Sequence, residues 1–239
     1  MSNSIVGLVE KEMVMFRNLR RDHPLLFPQN DRLYPIPFFG DVRRAEVLTI
    51  ALNPAHPEFS EDRRWPINNE SNALTPLALA NRLLSYFHSQ TPPHKFFDDC
   101  EIALRTIGCS YQDNAAHIDV YPFPTEFGGN LNPSEAAILR ETIQEHSTQH
   151  LNSVLQLFGR LKLIIAIDFA VPIAQGEWMI TYEYVRRRLG SLSGLVDREC
   201  LQPPLIRGGG RAGLVQLLAG RRDELQSFLR TAPCLLFSP

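Results

Sequence analysis

The chain predicts an α/β protein: a three-layer α/β/α domain built on a central, mainly parallel four-stranded sheet. Three observations predict it. First, the apolar runs at 45–52 and 161–167 (LKLIIAI) are short, rich in aliphatic and β-branched residues and without polar alternation. Such runs read as strands buried on both faces, which belong to parallel sheets covered by helices. Second, the stretches between these runs carry apolar residues at helical spacing, so strands alternate with helices. Third, no linker, composition shift, internal repeat or low-complexity segment divides the 239 residues. One domain over 1–239 is therefore expected, with 1–33 as an N-terminal helix and wrapping loop.

Residues 5–19 are expected as an amphipathic helix. Glu10, Lys11 and Glu12 interrupt its apolar pattern, which argues against a secretory signal. Residues 27–41, rich in Pro, Asn and aromatics, read as an ordered loop. Strand one is 45–52, and it stops abruptly in Asn53-Pro54-Ala55-His56-Pro57-Glu58-Phe59. Pro54 and Pro57 stiffen that loop by fixing φ. A polar loop at 58–71 carries Arg63, Arg64 and Trp65. Thr75 then reads as a helix cap with Pro76 at the first helical position. Leu77, Ala80, Leu84 and Phe87 carry that helix to about residue 88. A second short helix is expected at 96–107 and strand two at 115–123 (AAHIDVYPF). Asn132-Pro133-Ser134-Glu135 combines a cap, a first-turn Pro and a first-turn acid. The helix it opens shows Leu139, Ile143, Leu151, Val154, Leu155 and Phe158 as its stripe and stops at Gly159. Strand three is 161–167, a helix is expected at 174–188, and a fourth strand lies within 195–206. Gly208-Gly209-Gly210 precedes one last helix with the stripe Leu214, Leu217, Leu218, Leu225, Phe228 and Leu229.

Composition narrows the functional classes. Apolar residues make up 44% of the chain, and no run approaches the ~20 apolar residues of a membrane helix. No membrane association is expected, and the expected compartment is the cytoplasm. The net charge is −2, which excludes a global basic field. Lys occurs only at positions 11, 95 and 162, and the other 21 basic residues are Arg, many in pairs or triplets such as Arg43-Arg44, Arg63-Arg64 and Arg186-Arg187-Arg188. Arg suits bidentate phosphate contacts, and the same clusters also fit solvated faces. The four cysteines, Cys100, Cys109, Cys200 and Cys234, form no Cys-x-x-Cys. Neither a zinc ribbon nor an iron–sulfur cluster is indicated, and no metal or cofactor is expected.

Three stretches carry chemistry. Asn53 follows a strand's carboxyl end, where open α/β sheets bind ligands. Its carboxamide can hold a water and a ligand oxygen, or cap its own turn. In His117-Ile118-Asp119-Val120-Tyr121, period two puts His117, Asp119, Tyr121 and Phe123 on one face. Polar groups on a covered strand need partners or a ligand. The open readings are a local His–Asp pair, a strand end in solvent, or a ligand contact. Leu205-Ile206-Arg207-Gly208-Gly209-Gly210-Arg211 is a glycine-rich turn opening a helix. It can cradle an anion or simply be a loop, and it matches neither the Walker nor the dinucleotide fingerprint.

Together these residues resemble the uracil-DNA glycosylase superfamily, in particular its divergent branches. That family opens on a strand followed by Gly-x-Asn-Pro or Gly-Gln-Asp-Pro; here the stretch is Ala51-Leu52-Asn53-Pro54, with Glu58-Phe59 beyond it. The second match is 117–125, HIDVYPFPT, and the upstream YPIPFFGD at 34–41 is similar to the entry of these domains. The resemblance covers about residues 34–230. It implies hydrolysis of a base–sugar N-glycosidic bond in DNA or a related nucleoside, with Asn53 positioning water and Asp119 at the base-reading position. Ala51, Pro54, Phe59, His117 and Phe123 would complete the substrate pocket. Flipping a base needs aromatic platforms and an Arg-lined groove. Phe59, Trp65, Tyr121 and Phe123 are the stacking candidates, and Arg63, Arg64, Trp65 and Gly208 to Gly210 the nucleic-acid contacts.

Three departures weigh against ordinary uracil excision. Ala51 replaces the motif's opening Gly, Asp119 replaces its reading Asn, and the family's final His-Pro-Ser is absent, Arg207–Arg211 standing in its place. In the family that His donates to the departing base, so Arg207 or Arg211 is the candidate replacement. Two other readings stand beside this one: a nucleic-acid or nucleotide-binding protein that kept the pocket without the chemistry, and a different hydrolase using His56, Glu58 or His117 as base.

Overall fold

The computed structural model describes residues 4–27, 33–52, 74–88, 95–124, 133–167, 170–174, 177–191, 205–207 and 211–235. The first apolar run forms β1 (Val47–Ala51), with every residue buried. Strand two is β2 (Ala115–Asp119) and strand three β3 (Leu163–Ala166), both also buried throughout. Successive side chains of a strand point to opposite faces, so burial of every position means that both faces are covered.

These three strands form an open parallel sheet in the order β2-β1-β3. Val47 to Ala51 pair with Ala115 to Asp119 on one side. On the other, Val47 to Ile50 pair with Leu163 to Ala166. The short segment β6 (Leu205–Arg207) runs parallel beside β3, Ala166 opposite Arg207.

Helices supply the cover. Helix α1 (Ile5–Asp22) starts at Ser4, whose Oγ accepts from the Gly7 N–H at 3.0 Å, and it buries Leu8, Val9, Glu12, Phe16 and Leu19. Helix α2 (Pro76–Leu84) is capped as expected, Thr75 Oγ1 accepting from the Ala78 N–H at 3.2 Å. It stops at Ser85 rather than at His88, and a separate 3₁₀ turn, Tyr86–His88, follows. Ser85 Oγ donates to the Asn81 carbonyl at 2.9 Å, a side-chain bond that competes with further helix. Helices α3 (Lys95–Thr106) and α4 (Pro133–Leu155) fall where the sequence places them.

Two expectations are corrected. The helix expected at 174–188 is a strand pair followed by a shorter helix: β4 (Ala170–Ala174), antiparallel β5 (Glu177–Ile180) and α5 (Thr181–Ser191). Ala170 pairs with Ile180 and Ala174 with Glu177. The Trp, Met and Ile of β5 favour extended chain over helix. The last helix is two, α6 (Arg211–Gly220) and α7 (Arg222–Thr231). The interruption falls where Gly220 lowers helix propensity and Arg221 leaves helical geometry at φ −116°, ψ 17°.

The outer edge of β2 is protected by residues 33–40. Phe39 forms an antiparallel bridge with His117, its N–H donating to the His117 carbonyl at 2.7 Å and its carbonyl accepting at 2.9 Å. Covering an edge in this way removes a template for aggregation. The turn behind this segment depends on Gly40, which has φ +92° and donates to the Leu83 carbonyl at 2.9 Å. A Cβ there would approach the Phe87 ring to 3.0 Å. Gly40→Ala is therefore expected to cost about 2 kcal/mol of stability, seen as a lower urea midpoint with unchanged slope.

Among the described residues, no helix is long and apolar enough to cross a membrane.

Candidate functional site

The parallel register brings two predicted site residues side by side at the carboxyl edge of the sheet. Ala51, the last residue of β1, is the register partner of Asp119, the last of β2. The ladder runs on past both strands: the Val120 N–H donates to the Ala51 carbonyl and the Tyr121 N–H to that of Leu52, each at 2.9 Å. On the other side the Ile167 N–H donates to the Ile50 carbonyl at 2.8 Å. With the order β2-β1-β3, the chain crosses from one side of β1 to the other. The switch point at which open α/β sheets bind ligands is thus at the carboxyl ends of β1 and β3, on the side of β1 away from β2.

Thr49 and His117 are also register partners, so Thr49, Ala51, His117 and Asp119 share one face. That face holds a line of polar side chains. Tyr111 Oη lies 2.6 Å from Thr49 Oγ1, which lies 2.8 Å from His117 Nδ1. His117 Nε2 then lies 3.3 Å from Asp119 Oδ1, at the long end of hydrogen bonding. The imidazole sits among the rings of Phe39, Phe96 and Phe97, with centroids 5.7, 5.3 and 5.2 Å away. His117 is 1% exposed and Asp119 2%. His117 Nε2 and Asp119 Oδ1 thus bond to each other, the local His–Asp pair among the readings open from the sequence. Burial holds the Tyr111 phenol well above its ordinary pKa, against the Thr49 hydrogen bond, so it stays protonated.

Phe123 and Tyr121 leave this face, which corrects the expectation of one shared face from His117 to Phe123. Strand β2 ends at Asp119, and the chain turns through Tyr121 and Pro122. Tyr121 Oη donates to Thr142 Oγ1 of α4 at 3.4 Å. The Phe123 ring is fully buried, stacked on Phe16 of α1 at 5.5 Å and edge-on to Tyr121 at 5.0 Å. It is placed as a core residue. His146 of α4 lies beside it at 6.3 Å, and burial lowers the pKa of that imidazole.

Arg207 is exposed at the end of β6, and Arg211 is the first residue of α6, so the two bracket the triple glycine. Asn53, Pro54, His56, Glu58, Phe59, Arg63, Arg64, Trp65 and Gly208 to Gly210 lie outside the described residues. Cys100 and Cys109 are buried and in no disulfide, and burial pushes Cys109 up to about 12, which makes it a poor nucleophile at neutral pH. Among the described residues, no group of three or more His, Cys, Asp or Glu is placed to hold a metal ion.

Sequence reasoning passed over Thr49 and Tyr111. Thr49 carries a signal in retrospect: it is the one hydroxyl inside an otherwise apolar strand, at the same parity as Ala51. Tyr111 carries none, because nothing local ties it to β1. No protein-family model matches the chain, and no curated protein matches it.

Proposed function

We propose that the chain is a domain of the uracil-DNA glycosylase type, with a four-stranded parallel sheet, that hydrolyses a base–sugar N-glycosidic bond in DNA or a related nucleoside. One observation carries the reading: the Ala51–Asp119 register, which ends the two motif-bearing strands side by side at the carboxyl edge of the sheet, the edge at which open α/β sheets bind ligands. Asn53 follows Ala51 by two residues, so the water-positioning and base-contacting groups start from adjacent strands. Asn53 orients the attacking water, Asp119 contacts the base, and Arg207 or Arg211 stabilises the negative charge that builds on the departing base. Arg63, Arg64 and Trp65 would meet the nucleic-acid backbone.

A second reading, binding without cleavage, is favoured by the absent His-Pro-Ser and the net charge of −2. One experiment separates the two. The full chain is incubated with single- and double-stranded DNA carrying uracil, hypoxanthine, xanthine or an alkylated base, and free base is measured. Release is expected, with Asn53→Ala slower by about 100-fold or more and a comparable loss in Arg207→Ala or Arg211→Ala. DNA retained in a salt-dependent way without release supports the binding reading. Neither release nor retention removes both.

A further inference from the structure

The line from Tyr111 to Asp119 is buried and polar, in a place where apolar packing would otherwise serve. Its proton directions can be worked out atom by atom. The Thr49 hydroxyl has one proton and three neighbours: Tyr111 Oη at 2.6 Å, His117 Nδ1 at 2.8 Å and the Ala116 carbonyl at 3.3 Å. If that proton goes to Ala116 or to Tyr111, Nδ1 must carry a proton to bond Thr49. A neutral imidazole would then have none left on Nε2 for Asp119. If it goes to Nδ1, every side-chain contact becomes a hydrogen bond in one direction. Tyr111 donates to Thr49, Thr49 donates to Nδ1, and Nε2–H donates to the Asp119 carboxylate. The aromatic walls around His117 keep its ring from turning out of register.

The line ends on an acceptor. Asp119 Oδ1 takes the His117 bond, and Oδ2 has no hydrogen bond among the described residues. We infer that Tyr111, Thr49 and His117 are positioning residues that orient the Asp119 side chain through the His117 bond to Oδ1, so that the site selects a base edge presenting two adjacent N–H donors, as guanine does, over uracil. This deepens the reading above and rests on it. The chemistry is simple: a carboxylate only accepts. Uracil offers it a ring N–H flanked by two carbonyls that it repels. The N1–H and N2–H of guanine lie side by side and match its two oxygens, in charge-assisted bonds stronger than neutral ones.

Two measurements on the full-length chain test this. The first is the ¹⁵N chemical shift of the His117 ring at neutral pH, which needs no ligand. A proton on Nε2 with Nδ1 bare is expected, and a proton on Nδ1 overturns the proposal. The second is calorimetric titration with 2′-deoxyguanosine and 2′-deoxyuridine. The parent is expected to bind deoxyguanosine about tenfold or more tightly, and Asp119→Asn to lose that preference. Thr49→Ser should keep both the tautomer and the preference, whereas Thr49→Val should reduce the preference to about threefold or less. Equal or tighter binding of deoxyuridine by the parent overturns the selectivity and leaves the pocket standing. No binding of either nucleoside, with no base released from DNA, removes the pocket and the inference together.

Discussion

Replacing Glu12 by Ala is expected to lower the unfolding free energy by about 2–3 kcal/mol, the cost of leaving a buried hydrogen-bond partner unsatisfied. Glu12 lies on the buried stripe of α1, 1% exposed, and its Oε1 is 3.1 Å from Nδ1 of His150, also 1% exposed, on α4. Glu12 Oε2 and His150 Nε2 are buried without hydrogen-bond partners among the described residues. The pair is thus only partly satisfied, and losing the carboxylate strands the whole imidazole in a dry interface. The joint replacement Glu12→Leu with His150→Leu should return stability to within about 1 kcal/mol of the parent or raise it, because neither polar group then needs a partner. Urea unfolding of the three chains checks this. A single variant as stable as the parent would show that the pair is not desolvated as placed.

Phe123→Ala is expected to cost about 3–5 kcal/mol, as for other fully buried aromatic truncations. Its ring stacks on Phe16 with only 16° between the planes and meets Tyr121 nearly at right angles, 88°. It therefore ties α1 to the chain leaving β2, and its loss leaves a cavity bounded by rigid rings. Phe123→Leu should cost less than half as much, since most of the volume is kept. Matched urea curves measure both. A loss below about 1 kcal/mol in the alanine variant would mean that the ring lies at the surface, free to stack on a ligand, rather than in the core.

How much of this was legible depended on the range of the signal. The cap at Thr75-Pro76 and the start of α4 at Pro133 were readable because the bonds that make them span three or four residues. The apolar runs of β1 and β3 were readable because full burial leaves no polar alternation. The hairpin β4–β5 was misread as helix. Its apolar residues fit either period over so short a span, and only the pairing of the two strands decides between them. The break between α6 and α7 was missed for a related reason: the leucine stripe continues through it, and one Gly is a weak stop.

The site divided along the same line. His117 and Asp119 announced themselves as polar residues on a buried strand, two apart, and their pairing was among the local readings open in advance. Phe123 was placed on their face by extending period two beyond the point where the chain turns. Thr49 and Tyr111 were not seen, being 68 and 62 residues from the partners that define them. Glu12 was read only as an interruption of its helix's apolar pattern, because the partner that buries with it, His150, lies 138 residues away.

The amino-acid order by itself determined the α/β class, the parallel strands, the starts of α2 and α4 and the polar pair His117 and Asp119 on strand two. All of these follow from backbone propensity and hydrophobic period acting over a few residues. Tertiary structure alone decided that Ala51 ends beside Asp119, that a tyrosine and a threonine orient His117, and that α1 and α4 bury an acid against an imidazole. Those depend on which distant segments meet, and hydrogen-bond geometry is set only once packing has fixed both partners in place.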